Sequence, residues 1–266
     1  MVLGINRRNA LIARENPPHA IRLVRDKVAT KHRLAAHGVA VPATLALLTR
    51  PDEVGAMHWG SLPNGWVMKP RRGSRGRGVL VAPAPLPADR CAVHASAIID
   101  GEFTDGRQDA ALIEPLLVPR RELRSLAPQG LPDVRVVVWR GEPLLAMARL
   151  PTVASRGRGN LHQGGIGAAI DLSSGEMVRA VHGGFAISRH PDTGGAIVGA
   201  RVPCWADVVD DAVRAAAATD LGYAGVDVVI DEHAGALVLE VNGHPGLEIQ
   251  NVCGRPLIPA SYRRAS

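Results

Sequence analysis

Two carboxylates and an amide near the C-terminal end of this 266-residue chain have the types and spacing of a cation site. Asp227 sits in Gly-Val-Asp-Val-Val, and Glu240 and Asn242 sit two apart in Leu-Val-Leu-Glu-Val-Asn-Gly-His-Pro-Gly. Alternate residues of a strand share a face, so Glu240 and Asn242 point the same way. If the strand of Asp227 is the neighbour, three oxygen donors converge, a set suited to Mg²⁺ with open positions for phosphate. The plainer alternative is a half-exposed strand whose polar residues face water, although the apolar neighbours argue for burial, and a buried carboxylate needs a partner.

A second cluster lies in Val67-Met-Lys-Pro-Arg-Arg-Gly-Ser-Arg-Gly-Arg-Gly-Val-Leu-Val. Lys69 ends a short apolar run, a glycine-rich loop follows (Gly73, Ser74, Gly76, Gly78), and a second apolar run resumes. Such a hairpin can lay backbone N–H groups and a lysine over phosphates. It is not a Walker A loop, because no Gly-Lys-Ser/Thr follows the glycines, and no helix opens after Gly78 as a dinucleotide fingerprint requires. A solvated Gly/Arg turn has the same composition. Lys27 alone reads as a helix-surface lysine, and Arg156-Gly-Arg-Gly-Asn as a phosphate-binding or merely exposed loop. Glu114 ends Ala-Leu-Ile-Glu, where a crossing chain could offer backbone groups to an adenine.

The elements that must carry these residues follow from periodicity. Apolar positions at Ile21, Val24, Val28 and Leu34 predict one helix over 20–37 with Gly38 as its stop. Short strands are expected at 44–48, 66–69, 79–82 and 111–117, with a helix at 92–99. Residues 134–139 and 144–150 flank Arg140-Gly-Glu-Pro as an antiparallel hairpin. The five-glycine stretch 151–167 predicts a long mobile loop, 207–221 a helix, and 225–231 and 236–242 two closing strands. The tail from Ala260 is expected to be frayed.

Composition leaves several classes open. Hydrophobic residues make up 46% and charged residues 21% of the chain, ordinary for a globular protein. The net charge of +6 invites nucleic acid, yet aromatics are 3%, which leaves few rings for base stacking. Positive charge comes almost wholly from arginine, with lysine only at 27, 31 and 69. Three widely spaced cysteines form no zinc or CxxC pattern and read as reduced thiols. Without an apolar segment after Arg7 and Arg8 or a membrane-length run, a cytoplasmic location is the default.

Taken in order from about Asp26 to Asn251, these segments resemble the ATP-grasp ligases, most closely α-L-glutamate ligases of RimK type. The opening Val-Leu-Gly-Ile-Asn-Arg-Arg-Asn is similar to a short subgroup of α-L-glutamate ligase-like proteins. The resemblance implies an α+β ATP-grasp fold of two lobes holding the nucleotide between them, the smaller over 1–112 with an N-terminal helical segment and the larger over 113–260. Two departures are expected: the family usually carries a separate domain before the first lysine, whereas only about 25 residues precede Lys27 here, and Pro115 stands where glutamate ligases carry an aromatic residue. By the same resemblance, Lys27, Lys69 and Gly73 to Gly78 contact phosphates, and Glu114, Asp133 and Asn160 serve the nucleotide. Asp227, Glu240 and Asn242 hold Mg²⁺ or Mn²⁺, while Arg149 and Arg158 meet developing charge. The implied reaction joins a carboxylate, such as that of glutamate, to an amine or peptide through an acyl phosphate, consuming ATP. Phosphoryl transfer without ligation, or a basic nucleic-acid module, are the alternatives; no membrane partner is expected, and the oligomeric state is left open.

Overall fold

The computed structural model describes residues 2–74 and 76–258; Arg75 in the glycine-rich loop and the tail expected to fray lie outside them. In chain order the elements begin with helices α1 (Ile5–Glu15), α2 (Pro18–Val24) and α3 (Lys27–Ala36). There follow β1 (Ala46–Leu48), α4 (Pro51–Ala56), β2 (Trp66–Pro70), β3 (Leu80–Ala82), α5 (Ala88–Ile99), β4 (Ala111–Pro115) and α6 (Arg121–Leu126). The remainder comprises β5 (Asp133–Trp139), β6 (Glu142–Leu150), β7 (Ile166–Ile170), β8 (Met177–His182), β9 (Phe185–Ile187), α7 (Trp205–Ala218), β10 (Tyr223–Asp231), β11 (Gly235–Asn242) and α8 (Glu248–Cys253).

The chain divides into two compact units. The small one holds residues 25–31 and 42–117; the large one holds the described residues before 25, those from 32 to 41, and those from 118 onward. This differs from a division at 112/113. The N-terminal helices join the large unit because Leu11 and Ile12 of α1 pack with Trp139, Leu145 and Tyr223. Asn16, buried, fixes that join by donating from Nδ2 to the carbonyls of Tyr223 and Gly243 and accepting from the Tyr223 N–H.

The small unit is an antiparallel sheet in the order β1-β4-β2-β3. Val54 of α4 and Cys91, Ala95, Ile98 and Ile99 of α5 close its core against Trp66, Met68, Ala111 and Ile113. The large unit is an antiparallel sheet in the order β11-β10-β5-β6-β7-β8-β9. On one face α7 lays Val208, Ala212, Ala215 and Ala216 against Val134, Val136, Val226 and Val228. On the other, Ile249 and Val252 of α8 join α1 over Val137, Met147 and Ala169. Strands covered on both faces lose the alternation of polar and apolar residues, which is why β10 is buried at all nine positions.

Several expectations hold and others do not. The hairpin at 140–143 forms, with Arg140 at φ 51° and Gly141 at φ 82°, the pair of positive values that a tight two-residue turn demands. The single helix over 20–37 is two helices. Asp26 interrupts it by accepting the N–H groups of Val28 and Ala29 on Oδ1, and the Lys27 N–H goes to the Arg71 carbonyl. The stretch 151–165 is a loop, and it carries hydrogen bonds of its own. Thr152 and Ser155 exchange backbone and hydroxyl bonds, the Thr152 hydroxyl reaches the Gly164 carbonyl, and the Val153 N–H is held by Asp192. Residues 161–163 form a 3₁₀ turn, and β7 begins at Ile166, inside the expected loop. The three cysteines are free thiols. No helix among the described residues is long and apolar enough to cross a membrane.

Candidate active site

In the large unit the site residues lie on one sheet face. Register pairs Asp227 with Glu240 on β11 and with Arg135 on β5, and pairs Gly225 with Asn242. Asp133 of β5 pairs with Arg149 of β6. Opposed residues of a ladder point to the same side, so Glu240, Asn242, Asp227, Arg135, Asp133 and Arg149 share a face. It is the face α8 and α1 cover elsewhere with apolar side chains.

The charges on that face are paired. Arg135 donates Nε and Nη2 to the two Asp227 oxygens at 2.7 and 2.7 Å. Arg149 does the same to Asp133 at 2.5 and 2.7 Å and adds a bond from Nη2 to Asp227 Oδ2 at 2.7 Å. Two guanidiniums thus neutralise two buried carboxylates with the fork geometry that suits them. Burial works to raise the Asp227 carboxyl, and the charges of Arg135 and Arg149 outweigh it, holding it below the ordinary carboxylate range. For Asp133, burial and the nearby Asp227 carboxylate prevail over Arg149 and push it up. Arg149 is raised above its usual value because the two carboxylates overcome its own burial.

Glu240 is different. It is half-buried, and among the described residues its carboxylate has no hydrogen bond or ion pair. Asn242 turns its Oδ1 to the His244 N–H at 2.8 Å, which shapes the Gly-His-Pro-Gly turn behind it. That turn sits close against the sheet because position 225 is glycine; a Cβ there would lie 2.7 Å from Pro245 Cβ. A half-buried carboxylate without a partner, in register with a second carboxylate and two residues from an amide oxygen, fits a hard divalent cation by donor chemistry. Asp227 would contribute less, since its two oxygens already accept three N–H bonds. Among the described residues no group of three or more His, Cys, Asp and Glu gathers for a metal.

Arg158 and Asn160 lie in the bonded loop. Gly159 between them packs on Arg149, a Cβ there falling 3.2 Å from Arg149 Cβ, which sets the loop beside the paired charges. Asn160 caps the 3₁₀ turn through the His162 N–H.

In the small unit, all three lysines of the chain come together with the glycine-rich turn. Lys27 donates Nζ to the Gly73 carbonyl. Lys69 and Lys31 pair with the two oxygens of Glu114 at 2.5 and 2.6 Å. Glu114, expected where the hinge meets an adenine, carries a side chain that is a buried counterion of these two lysines. Asp26 anchors the start of the turn through Arg71 and Arg72. Its end is held by His94 Nε2 on the Gly78 carbonyl at 2.9 Å and by Arg77 on Asp105 at 2.8 Å. Sequence reasoning missed Lys31 and Arg135. Their signals were present: Lys31 is the third of three lysines, and Arg135 stands two residues from Asp133.

Comparison with known proteins places this geometry. The family model for sugar-transfer associated ATP-grasp proteins matches residues 6–262. The chain belongs to that family. This ATP-grasp chain is 29% identical over 245 residues to a probable alpha-L-glutamate ligase of Xanthomonas oryzae pv. oryzae, covering 90% of itself and 63% of the relative. It is 29% identical over 238 residues to another of that description from Mannheimia succiniciproducens, covering 88% and 60%. It therefore spans less than two thirds of the length of these curated relatives. Among solved structures it is similar to the ATP-grasp ligase PsnB with a minimal precursor, at TM-score 0.51 and 19% identity, covering 92% of this chain and 60% of that one. It is also similar to a D-cycloserine synthetase, at TM-score 0.52 and 17% identity, covering 87% and 66%. The fold is the α+β ATP-grasp fold.

Proposed function

We propose that this protein is an ATP-dependent carboxylate–amine ligase. The observation that carries the reading is the Glu240 carboxylate, without a partner among the described residues, in register with Asp227 and two residues from Asn242 on a face otherwise closed by ion pairs. The relatives described as probable alpha-L-glutamate ligases support a ligase and an amino-acid substrate such as glutamate. So do a PsnB structure described with Mg and ADP and a D-alanine–D-alanine ligase from Bacillus anthracis complexed with ATP, each at TM-score 0.50.

In this reading Lys27, Lys69 and the backbone amides of the turn at Gly73, Ser74, Gly76 and Gly78 offset the negative charge of the nucleotide phosphates. Glu240 and Asn242, with Asp227, would hold Mg²⁺ or Mn²⁺, which would supply positive charge to offset the negative charge of the nucleotide phosphates. The substrate carboxylate attacks the γ-phosphorus, the bond to ADP breaks, and an acyl phosphate forms. An amine then attacks the acyl carbon, phosphate leaves, and the amine proton is lost to solvent or base. Arg149, held by Asp133, and Arg158 face the charge that develops on the transferred phosphoryl group and the tetrahedral carbon. The loop 151–165 limits water, which would otherwise hydrolyse the acyl phosphate.

The test is to supply Mg·ATP with a panel of amino acids and peptides, using hydroxylamine as a surrogate amine. The reading predicts ADP release that depends on the carboxylate, together with a hydroxamate product. ADP release with a stable phosphorylated product instead would identify a kinase and overturn it.

A further inference from the structure

Glu114 of β4 and Lys69 of β2 stand on one face of the small sheet, since Val67, two residues before Lys69, is directly opposite Glu114. The second turn of α3 brings Lys31 to the same carboxylate. Side-chain exposure is 2% for Glu114, 9% for Lys31 and 11% for Lys69, so two ammoniums share one buried carboxylate. The two lysines are not equivalent. Lys31 uses its three donor directions on Glu114, on Thr44 Oγ1 at 2.9 Å and on the Ala43 carbonyl at 3.3 Å. Among the described residues Lys69 has Glu114 alone as a side-chain partner, leaving donors to spare. Burial draws the Lys31 ammonium below its ordinary range, and the charge and hydrogen bond of Glu114 oppose that shift.

We infer that Lys31 is a positioning residue, the standing counterion of Glu114 that frees the charge of Lys69 for a phosphate. The inference rests on the nucleotide reading above and adds a residue to it. With Lys31 in place the cluster carries one net positive charge, and Lys69 can turn to an anion without abandoning a buried carboxylate. Without Lys31, Lys69 and Glu114 form a neutral pair; drawing Lys69 toward phosphate then leaves Glu114 buried and uncompensated, which is strongly unfavourable. Removing Lys31 should therefore harm nucleotide binding more than folding, because the remaining pair is balanced.

The experiment is calorimetric titration of the full chain with Mg·ATP, alongside thermal unfolding, for the wild type, Lys31→Met and Lys31→Met/Glu114→Gln. Lys31→Met should weaken ATP about tenfold or more. The double variant, which removes the carboxylate that captures Lys69, should return to within about threefold of the wild type. Lys31→Gln, uncharged but able to bond Thr44, replaces the methionine if that variant does not fold. A purely packing role would lower the unfolding midpoint of both variants and leave ATP affinity alone. Wild-type affinity in the single variant, or a double variant as weak as the single, overturns the inference while the nucleotide reading stands. A wild-type protein that binds no ATP overturns both.

Discussion

The carboxylates on the large sheet are distinguished by their partners, and substitution should separate them. Asp227 accepts three guanidinium bonds and is almost wholly buried, so Asp227→Asn leaves Arg135 and Arg149 short of negative charge. We expect it to cost about 3–5 kcal/mol in urea unfolding. Glu240 has no such partner among the described residues, so Glu240→Gln should leave the unfolding curve close to wild type while reducing ADP formation roughly 100-fold or more. Wild-type turnover by Glu240→Gln would remove Glu240 from the cation site. Alternation along a strand, visible in one dimension, put Glu240 and Asn242 on one face, and the pairing of β10 with β11 sets Asp227 opposite Glu240. The sequence did not show that Asp227 is held by Arg135. Which arginine meets which carboxylate depends on the register of β5 against β10, and register is set by pairs of strands about 90 residues apart in the chain.

Turns and strand ends fix where these side chains stand. Gly78 closes the glycine-rich turn at φ +69°, and a Cβ there would lie 2.5 Å from the Phe103 ring and 2.8 Å from Pro70. Gly76 has a similar φ of +71° with open space around it. Gly76→Ala should cost about 1–2 kcal/mol from backbone strain alone. Gly78→Ala should cost more and also weaken ATP, because the ring must move and the turn with it; equal costs in denaturant unfolding would contradict this. At the end of β10, Asp231 accepts N–H groups from His233, Ala234 and Val118. Burial opposes ionisation, the three N–H bonds prevail, and its carboxyl lies below the usual range. A folded pKa below the unfolded one means stabilisation that is present above about pH 4 and is lost as pH falls through the folded value. The stability gap between wild type and Asp231→Ala should therefore narrow in acid, as urea titrations across that range would show. Strands β5 and β10, covered on both faces, were legible as apolar runs, and so was β11. Strand β7 was not, because Ile-Gly-Ala-Ala-Ile is short and made of small residues that fit under α8: a Cβ on Gly167 would lie 2.5 Å from Val252. The short helices α4, α6 and α8 each have six residues, too few for a periodic signal.

For the molecule as a whole, positive charge is arginine nearly throughout, and the three lysines all fall in the small unit. That placement concentrates ammonium charge near the glycine-rich turn, where the proposed function uses it to offset the charge of an anionic ligand. The division into units was less legible than the fold, since α1 and α2 precede the first lysine in the chain yet pack on the large sheet through Leu11, Ile12 and Asn16. Such long-range packing leaves no mark in local periodicity. The central claim is that a substrate carboxylate, and not water or a hydroxyl, receives the γ-phosphoryl group before an amine displaces it. Its most direct test is to label the oxygens of a turned-over carboxylate with ¹⁸O and read the mass of the released phosphate. The account predicts one labelled oxygen in that phosphate for each amide formed. Unlabelled phosphate, or AMP in place of ADP, would contradict it.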